Sequence, residues 1–481
     1  MKDILKNVSK LSVPIGLNFL VNIIRNKLIS TLIGPLGLGI YSQFINLSGF
    51  IYAILPIGSL GLIKYIARYH EENKTNEINY LLKYFYLKNV VFSIIAITFI
   101  IIFKEDLSTW LFSSSDFSNL LVLFFIFIPL NLILNFVDIY LKSTRIINLY
   151  VIFLSVNSLV SLICTIPLVY YWKIEGAIVA FMFTTIICLF STYVILKKGK
   201  VNIDIKSVTA VDKSVVKNIY KVGIVSLISL AVQSVTFLLI RSLLADKYGF
   251  EGVGIFQCVY SLSAGYFGLF FVILGNYSIP KVSALKEVFE INIELNDTIK
   301  FLLLLYVPLV IIMFSFRSVL IPLLYSNEFI TAKNLFIYQL PAEIFRAFSW
   351  VFGLWLIPKL KIKAWIIFEL IFYSGFILLT VIFLNFTDFE IKSVSIAYLI
   401  SYVGFFVLNF SYSVSNLEFK FSKNNIKLIT GALILISVLF VSSEINEIWG
   451  YYLFIPVIII WSFYSIKKHD LIRLKEIFRL K

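Results

Sequence analysis

Two arginines lie inside long apolar stretches of this sequence. Arg25 occurs in VNIIRNKLISTLIGPLGLG (residues 21–39) and Arg241 in IRSLLADKYG (residues 240–249). A charge at bilayer depth costs roughly 2.5 to 3.5 kcal/mol on insertion scales, so such residues usually face a cavity or a partner. A guanidinium stays charged when partly desolvated and binds phosphate oxygens in pairs. Two facing arginines could therefore clamp a pyrophosphate; alternatively, each could snorkel or pair within its own half of the chain.

Three further cations are candidates for binding an anion. Lys27 lies two positions from Arg25, about 200° around a helix, so both side chains cannot point at one spot. Lys64 and Arg68 lie one helical turn apart at the end of a later apolar stretch. They could be the first to meet an incoming pyrophosphate, although cations are also common at the cytoplasmic ends of membrane helices.

Acidic residues near or within the apolar stretches could serve gating or ion coupling. Glu343 and Arg346 are three residues apart, so they would share one helix face and could neutralise one another as a structural pair. Asp138 precedes Lys142 by four residues and could form a surface pair with it or bind a proton or sodium ion. Glu369, in a later apolar stretch, could likewise form a pair or bind a proton or sodium ion. For each of these residues both interpretations stay open.

The sequence contains little that could perform catalysis or bind a metal. It has no HExxH motif, no nucleotide-binding glycine loop followed by lysine and serine or threonine, and no aspartate-rich metal motif. It has two histidines, and its three cysteines lie in apolar stretches without paired spacing. We therefore predict a protein that is not an enzyme and that has no cofactor and no bound metal.

The composition indicates the environment of these residues. Hydrophobic residues make up 60% of the 481 residues, and charged residues only 14%. A chain with so few polar residues cannot cover the surface of a water-soluble globular protein. We therefore predict an all-α polytopic membrane protein in contact with membrane lipids. The net charge of +15 could suggest nucleic acid, but the cations gather in short segments between apolar stretches. That placement indicates membrane topology, and no nucleic-acid partner is expected.

The apolar stretches predict the number and direction of the membrane helices. A spanning helix needs about 20 mostly apolar residues, which gives about fourteen transmembrane helices. They are predicted to begin near residues 11, 40, 81, 119, 149, 176, 221, 253, 300, 334, 364, 392, 428 and 449. Alternate connections, beginning with KYIARYHEENK (residues 64–74), are rich in lysine and arginine, whereas the others hold scattered single lysines. The positive-inside rule then places both termini in the cytoplasm and the protein in the cytoplasmic (inner) membrane.

The two halves of the chain resemble each other. GLGIYSQFINLSG (residues 37–49) aligns without gaps to GVGIFQCVYSLSA (residues 252–264), and two weaker similarities occur in the same order on either side. Helix 7 of the predicted spans corresponds to helix 1, six helices earlier. The repeat therefore predicts two pseudo-symmetric lobes of six helices each, with the same orientation. Transporters with such repeats bind their substrate between the lobes. Tyr41 and Phe256, at equivalent positions of the repeat, could line such a cavity and stack on sugar.

The repeat also predicts how the chain is divided. Residues 1–200 would form an N-terminal six-helix lobe, residues 201–220 a cytoplasmic linker, and residues 221–415 a C-terminal six-helix lobe. Residues 416–481 would add two further helices and a basic cytoplasmic tail. The tail alternates apolar residues with lysine and arginine, which suits a short helix on an anionic leaflet, although a solvated tail is the alternative.

Residues 24–72 and 240–287 resemble the polysaccharide flippases that move lipid-linked O-antigen or enterobacterial common antigen units. The GPLGLGIY turn, the KYIARYHEE helix exit and the GVGIFQ stretch carry the resemblance, and a weaker hydropathic agreement extends over the whole chain. Those flippases belong to the multidrug/oligosaccharidyl-lipid/polysaccharide exporter superfamily. The resemblance implies two six-helix lobes around a central cavity and a substrate that is a short oligosaccharide on undecaprenyl pyrophosphate.

The resemblance also bears on the arginines. The related lipid II flippases have a cavity-facing arginine at the place of Arg25, and a second one in the eighth helix, where this chain has Val259. That departure leaves the second cation to Arg241. A multidrug exporter of the same superfamily is one alternative, but it would be expected to present acidic residues to a cationic substrate. A polysaccharide polymerase or ligase is another, but it needs a sizeable outward loop. Further polysaccharide assembly proteins are possible partners.

Overall fold

The computed structural model describes residues 2–55, 58–201 and 209–465 and contains helices but no strands within these ranges. Ten helical stretches of the described residues are long and apolar enough to cross a membrane. The prediction of an all-α multi-pass membrane protein is confirmed. The helices are α1 (Lys2–Ile54), α2 (Ser59–Glu71), α3 (Thr75–Ile102), α4 (Lys104–Phe112), α5 (Ser118–Ile126), α6 (Ile128–Ser143), α7 (Ile147–Lys198), α8 (Lys213–Tyr260), α9 (Tyr266–Ala284), α10 (Val288–Ser315), α11 (Arg317–Leu324), α12 (Lys333–Gly353), α13 (Ile362–Phe386), α14 (Lys392–Leu417), α15 (Lys423–Ile445) and α16 (Glu447–Ser465).

The three longest helices each contain one residue with non-helical backbone angles. The break is at Gly34 (φ 65°, ψ −172°) in α1, at Gly249 (φ 64°, ψ −179°) in α8 and at Lys173 (φ 49°, ψ −123°) in α7. Glycine suits the first two positions because it lacks the Cβ atom that disfavours positive φ. Each break falls between two of the predicted spans. The count of fourteen crossings stays a prediction.

The chain forms two compact units, residues 1–254 and residues 255–481. In the first unit α1 packs along α7, and an aromatic cluster of α1, α4 and α5 forms part of the core. The Phe44 ring lies 4.5 Å from the Phe112 ring and 5.8 Å from the Phe124 ring, measured between centroids. A second apolar cluster joins α2, α3 and α6 to the start of α8 through Ile219, which is fully buried.

In the second unit α12 packs along α14, which also contacts α13. The indole Nε1 of Trp355 donates a hydrogen bond to the Ser413 hydroxyl at 2.9 Å, which ties the chain after α12 to α14. Helices α15 and α16 pack on each other and on α10, and they lie in the segment predicted to add two helices. The basic tail, residues 466–481, lies outside the described residues.

The boundary between the units lies near the end of α8, after residue 254, whereas the predicted C-terminal lobe begins at residue 221, near the start of the same helix. The first part of α8 thus packs with the N-terminal helices in this conformation. The lobe boundaries follow sequence similarity and not packing, so they stay a prediction. Seven of the 20 residues of the predicted linker, residues 202–208, lie outside the described residues, and its last eight belong to α8.

Candidate functional site

Arg25 is half-buried in α1 and bonds only to neutral groups among the described residues. Its Nη2 donates to the Asn22 side-chain oxygen at 2.7 Å, and its Nη1 donates to the Ser161 hydroxyl of α7 at 3.0 Å. Its Nε is buried and has no hydrogen-bond partner in the part of the chain that the structure describes. The guanidinium is therefore oriented by two oxygens, and no described carboxylate neutralises it.

The partners of Arg25 extend along one face of α1. The Asn22 amide also donates to the Asn18 side-chain oxygen at 2.9 Å, so three polar side chains follow one another at helical spacing. Sequence reasoning missed Asn18, Asn22 and Ser161. The spacing of the two asparagines relative to Arg25 was a usable signal, because it places polar groups on one face of an apolar helix. Ser161 had no such signal, since it comes from another helix.

Arg241 has a different environment. Its side chain is buried in α8, and its guanidinium carbon lies 5.6 Å from the centroid of the Phe237 ring, as in a cation–π contact. Arg25 precedes the break at Gly34 by nine residues, and Arg241 precedes the break at Gly249 by eight. One residue is about 100° of helix rotation, so the two arginines are not equivalent positions of the repeat.

The other candidate cations differ in exposure and in their partners. Lys27 is half-buried in α1, and Lys64 is exposed on α2. Arg68 is also exposed, but its Nε is 2.8 Å from a carboxylate oxygen of Glu72, whose other oxygen is 2.6 Å from Lys74 Nζ. The hydrogen bonds from Lys74 and Arg68 lower the pKa of the Glu72 carboxyl. Arg68 would have to exchange this carboxylate for any incoming anion.

Glu343 and Arg346 form the ion pair that their spacing allowed. The Arg346 Nη1 donates to Glu343 Oε2 at 2.9 Å, and the Glu343 side chain is fully buried in α12. Sequence reasoning missed two further partners. The Tyr398 hydroxyl of α14 donates to Glu343 Oε1 at 3.1 Å, and Arg346 Nη1 also donates to the Ala264 carbonyl at 3.1 Å. Ala264 belongs to a π-helical turn, Ser261–Gly265, and such turns are frequent at functional sites.

The remaining candidates are separate from these two clusters. Asp138 of α6 is half-buried and accepts a hydrogen bond from the Tyr150 hydroxyl of α7, while Lys142 contributes an attractive charge. Tyr41 is half-buried in the first unit. Phe256 is fully buried in the second unit, where its ring lies 6.0 Å from that of Tyr260. Phe256 therefore presents no exposed ring in this conformation.

The two repeated glycine turns contact each other through their backbones. A Cβ atom on Gly39 would lie 2.0 Å from the Phe250 carbonyl oxygen, and one on Gly254 would lie 1.9 Å from the Pro35 carbonyl oxygen. Gly39 and Gly254 are equivalent positions of the repeat, and so are Pro35 and Phe250. The contact is thus reciprocal, and only glycine leaves room for it. This reciprocity is the strongest structural support for the repeat.

The profile of a family described as "Polysaccharide biosynthesis protein" matches residues 4–286, more than half of the chain. The chain belongs to this polysaccharide biosynthesis family. Within curated proteins it is similar to the lipid III flippase of Escherichia coli (strain K12), with 25% identity over 381 residues, or 77% of this chain and 87% of that protein. The lipid III flippase of Shigella flexneri matches with the same figures.

Solved structures agree with this membership at the level of the fold. The lipid II flippase MurJ in an inward closed conformation superposes with a TM-score of 0.72 at 17% identity, covering 96% of this chain and 99% of that one. An inward-facing multidrug resistance MATE family transporter of the MOP superfamily superposes with a TM-score of 0.71 at 13% identity, covering 86% and 98%. This member of the polysaccharide biosynthesis family therefore has the MOP transporter fold, and the resemblance drawn from its sequence is confirmed.

Proposed function

We propose that this protein is a flippase that translocates an undecaprenyl-pyrophosphate-linked oligosaccharide, such as an O-antigen or other surface polysaccharide repeat unit, across the cytoplasmic membrane. It works by alternating access and performs no catalysis. Membership of the polysaccharide biosynthesis family, the similarity to lipid III flippases and the MOP transporter fold all support this function. Both termini lie in the cytoplasm, in keeping with the distribution of lysine and arginine between alternate connections.

The observation that carries the proposal is the environment of Arg25. Its guanidinium lies within a membrane-spanning stretch, oriented by Asn22 and Ser161, and no described carboxylate pairs with it. Charge–charge and hydrogen-bonding interactions strengthen where water is scarce. A pyrophosphate would supply the missing negative charge and could accept hydrogen bonds from the terminal nitrogens. Arg25 thus holds the pyrophosphate while the polyprenyl tail stays in lipid.

The other predicted residues take supporting roles in this proposal. Arg241 provides a second cation, and Lys27, Lys64 and Arg68 attract the pyrophosphate at the cytoplasmic side. Tyr41 and Phe256 stack on sugar, which for the buried Phe256 requires another conformation of the protein. The Glu343–Arg346 pair and Asp138 are candidates for coupling transport to an ion gradient. Other polysaccharide assembly proteins would deliver or consume the substrate.

A multidrug exporter is the second candidate, because a MATE transporter superposes on this chain almost as well as the lipid II flippase does. The charge inside α1 argues against it. A cationic drug would be repelled by Arg25, and the buried carboxylate of Glu343 is already paired with Arg346. A polymerase or ligase has less support, since no superposed structure described above is an enzyme of that kind.

The function can be tested in proteoliposomes with a short-chain fluorescent polyprenyl-pyrophosphate glycan, by measuring how much of it becomes exposed in the opposite leaflet. Replacing Arg25 with Ala should slow flipping by about 10- to 100-fold, because hydrogen bonds between charged groups contribute roughly 1.5 to 3 kcal/mol. Arg145→Ala is the matched control, since Arg145 is an arginine with a 78% exposed side chain. Normal flipping by Arg25→Ala would reject the clamp, and no flipping of glycan lipids by the wild type would favour drug export.

A further inference from the structure

The second unit contains a recess of about 870 Å³, lined by both polar and apolar residues, between the start of α10 and the turn that joins α14 to α15. Its volume is in the range typical of small-molecule sites. Five of its lining residues are asparagines: Asn292, Asn296, Asn416, Asn424 and Asn425. The charged lining residues are two carboxylates, Asp297 and Glu418, and two lysines, Lys300 and Lys420. The recess is therefore rich in amides and balanced in formal charge.

Hydrogen bonds hold the wall of this recess in place. The Asn296 amide donates to the Lys420 carbonyl at 3.0 Å, and its side-chain oxygen accepts from the Ser422 backbone N–H at 2.8 Å. Asn425, almost fully buried, donates to the Asn296 carbonyl at 2.8 Å. These contacts fix the α14–α15 turn against α10. The recess is consequently formed before any ligand arrives, which lowers the entropic cost of binding.

One acceptor in the wall is not used by the protein. The Asn292 amide donates to the Leu417 carbonyl at 2.7 Å, but its side-chain oxygen Oδ1 is buried and has no hydrogen-bond partner among the described residues. Buried polar atoms without a partner are uncommon in folded proteins and call for an explanation. The surrounding protein encloses this oxygen in the present conformation, so a sugar hydroxyl would reach it only after the Asn292 side chain turned toward the recess.

We infer that this recess binds the glycan part of the transported lipid. Sugar hydroxyls both donate and accept hydrogen bonds, and so do side-chain amides. A phosphate would require net positive charge and a metal or drug cation net negative charge, whereas the charged side chains here are balanced. Phe289, with 72% of its surface exposed, offers an apolar ring face at the same recess. The inference rests on the proposed function and adds a first site for its sugar, before the sugar reaches Tyr41 and Phe256.

An amphiphilic ligand also suits the surroundings of the recess. Ser422 and Asn425 line it, while their neighbours Phe421 and Ile426 line an apolar groove of about 560 Å³ between α12, α14 and α15. One short segment of chain thus contributes to a polar and an apolar surface. By the positive-inside prediction the α14–α15 turn is cytoplasmic, so the glycan would be recognised on the side where it is loaded.

The test compares binding of glycosylated and bare carriers to the full-length protein in nanodiscs. The probes are short-chain polyprenyl pyrophosphates bearing one, two or three N-acetylglucosamine residues, and the same carrier without sugar. Wild type should bind the glycosylated probes more tightly than the bare carrier. Asn292→Ala and Phe289→Ala should each reduce that preference by about tenfold, which corresponds to 1.4 kcal/mol. Binding of the bare carrier should not change, which shows that the variants are folded.

Asn119→Ala is the matched control, since Asn119 belongs to the first unit and does not line the recess. Equal affinity of the wild type for glycosylated and bare carriers would overturn the inference. So would an unchanged preference in both recess variants, or an equal loss of affinity for all probes. Arg25→Ala should instead weaken binding of glycosylated and bare carriers alike. If Arg25→Ala binds both carriers as tightly as the wild type and keeps the preference for the glycosylated probes, the pyrophosphate clamp is rejected and the inference about the recess still stands.

Discussion

Replacing Gly254 with Ala is expected to force the two repeated glycine turns apart. The added Cβ would lie 1.9 Å from the Pro35 carbonyl oxygen, 2.7 Å from its carbonyl carbon and 3.0 Å from its Cα. Non-bonded carbon atoms pack at about 3.5 Å, so the two backbones would have to separate by roughly 1.5 Å. The obstructing atoms belong to the backbone, so they cannot rotate away as the end of a long side chain could. Overpacking of this kind typically costs about 1–3 kcal/mol.

Gly39→Ala tests the same contact from its other side. Its Cβ would lie 2.0 Å from the Phe250 carbonyl oxygen and 3.0 Å from the Gly254 nitrogen. Because one separation of the turns relieves both clashes, the double variant should be less destabilised than the sum of the two single variants. Independent, additive effects would contradict the reciprocal contact seen in the structure.

The assay is the midpoint of thermal unfolding in detergent, followed by the flipping rate in proteoliposomes. Gly375→Ala is the control, since a Cβ at Gly375 would meet nothing within 4 Å and alanine favours a helix. We expect a lower midpoint for Gly254→Ala and Gly39→Ala and no lower midpoint for Gly375→Ala. A penalty of about 1–3 kcal/mol in this conformation alone would shift an equilibrium with any other conformation by about 5- to 150-fold. Unfolding of Gly254→Ala at the wild-type temperature would refute the reasoning.

Two other expectations concern charged clusters. Glu343→Gln removes the partner of a buried guanidinium and should destabilise the protein by about 3–5 kcal/mol, whereas Tyr398→Phe removes one hydrogen bond to the carboxylate and should cost about 1.5–3 kcal/mol. Thermal unfolding ranks the two, and equal midpoints would reject the ion pair as the stronger contact. The pKa of Glu72 is lowered by Lys74 and Arg68, so its stabilising effect is present above the ordinary glutamate pKa and is lost as pH falls through the lowered value. The unfolding midpoints of wild type and Glu72→Gln should therefore converge on acidification, and a gap that widens instead would contradict this sign.

The pair of Glu343 and Arg346 illustrates which parts of the site could be predicted. Their contact spans three residues of one helix, and helix geometry alone brings such side chains together. Arg25 was recognised for a similar reason, because the cost of a charge in an apolar stretch can be read without knowing its neighbours. Its partner Ser161 could not be predicted, since that contact joins positions 136 residues apart and depends on how α1 rotates against α7.

The sequence by itself determined that this protein is an all-α membrane protein built on an internal repeat. Transfer of apolar residues to lipid and the satisfaction of backbone hydrogen bonds within each helix depend on local composition. Only the tertiary structure decided that the repeated turns meet at Gly39 and Gly254, and that Asn292 and the α14–α15 turn line one recess. Those features arise where helices distant in sequence pack together, and close packing depends on the shape of every side chain between them.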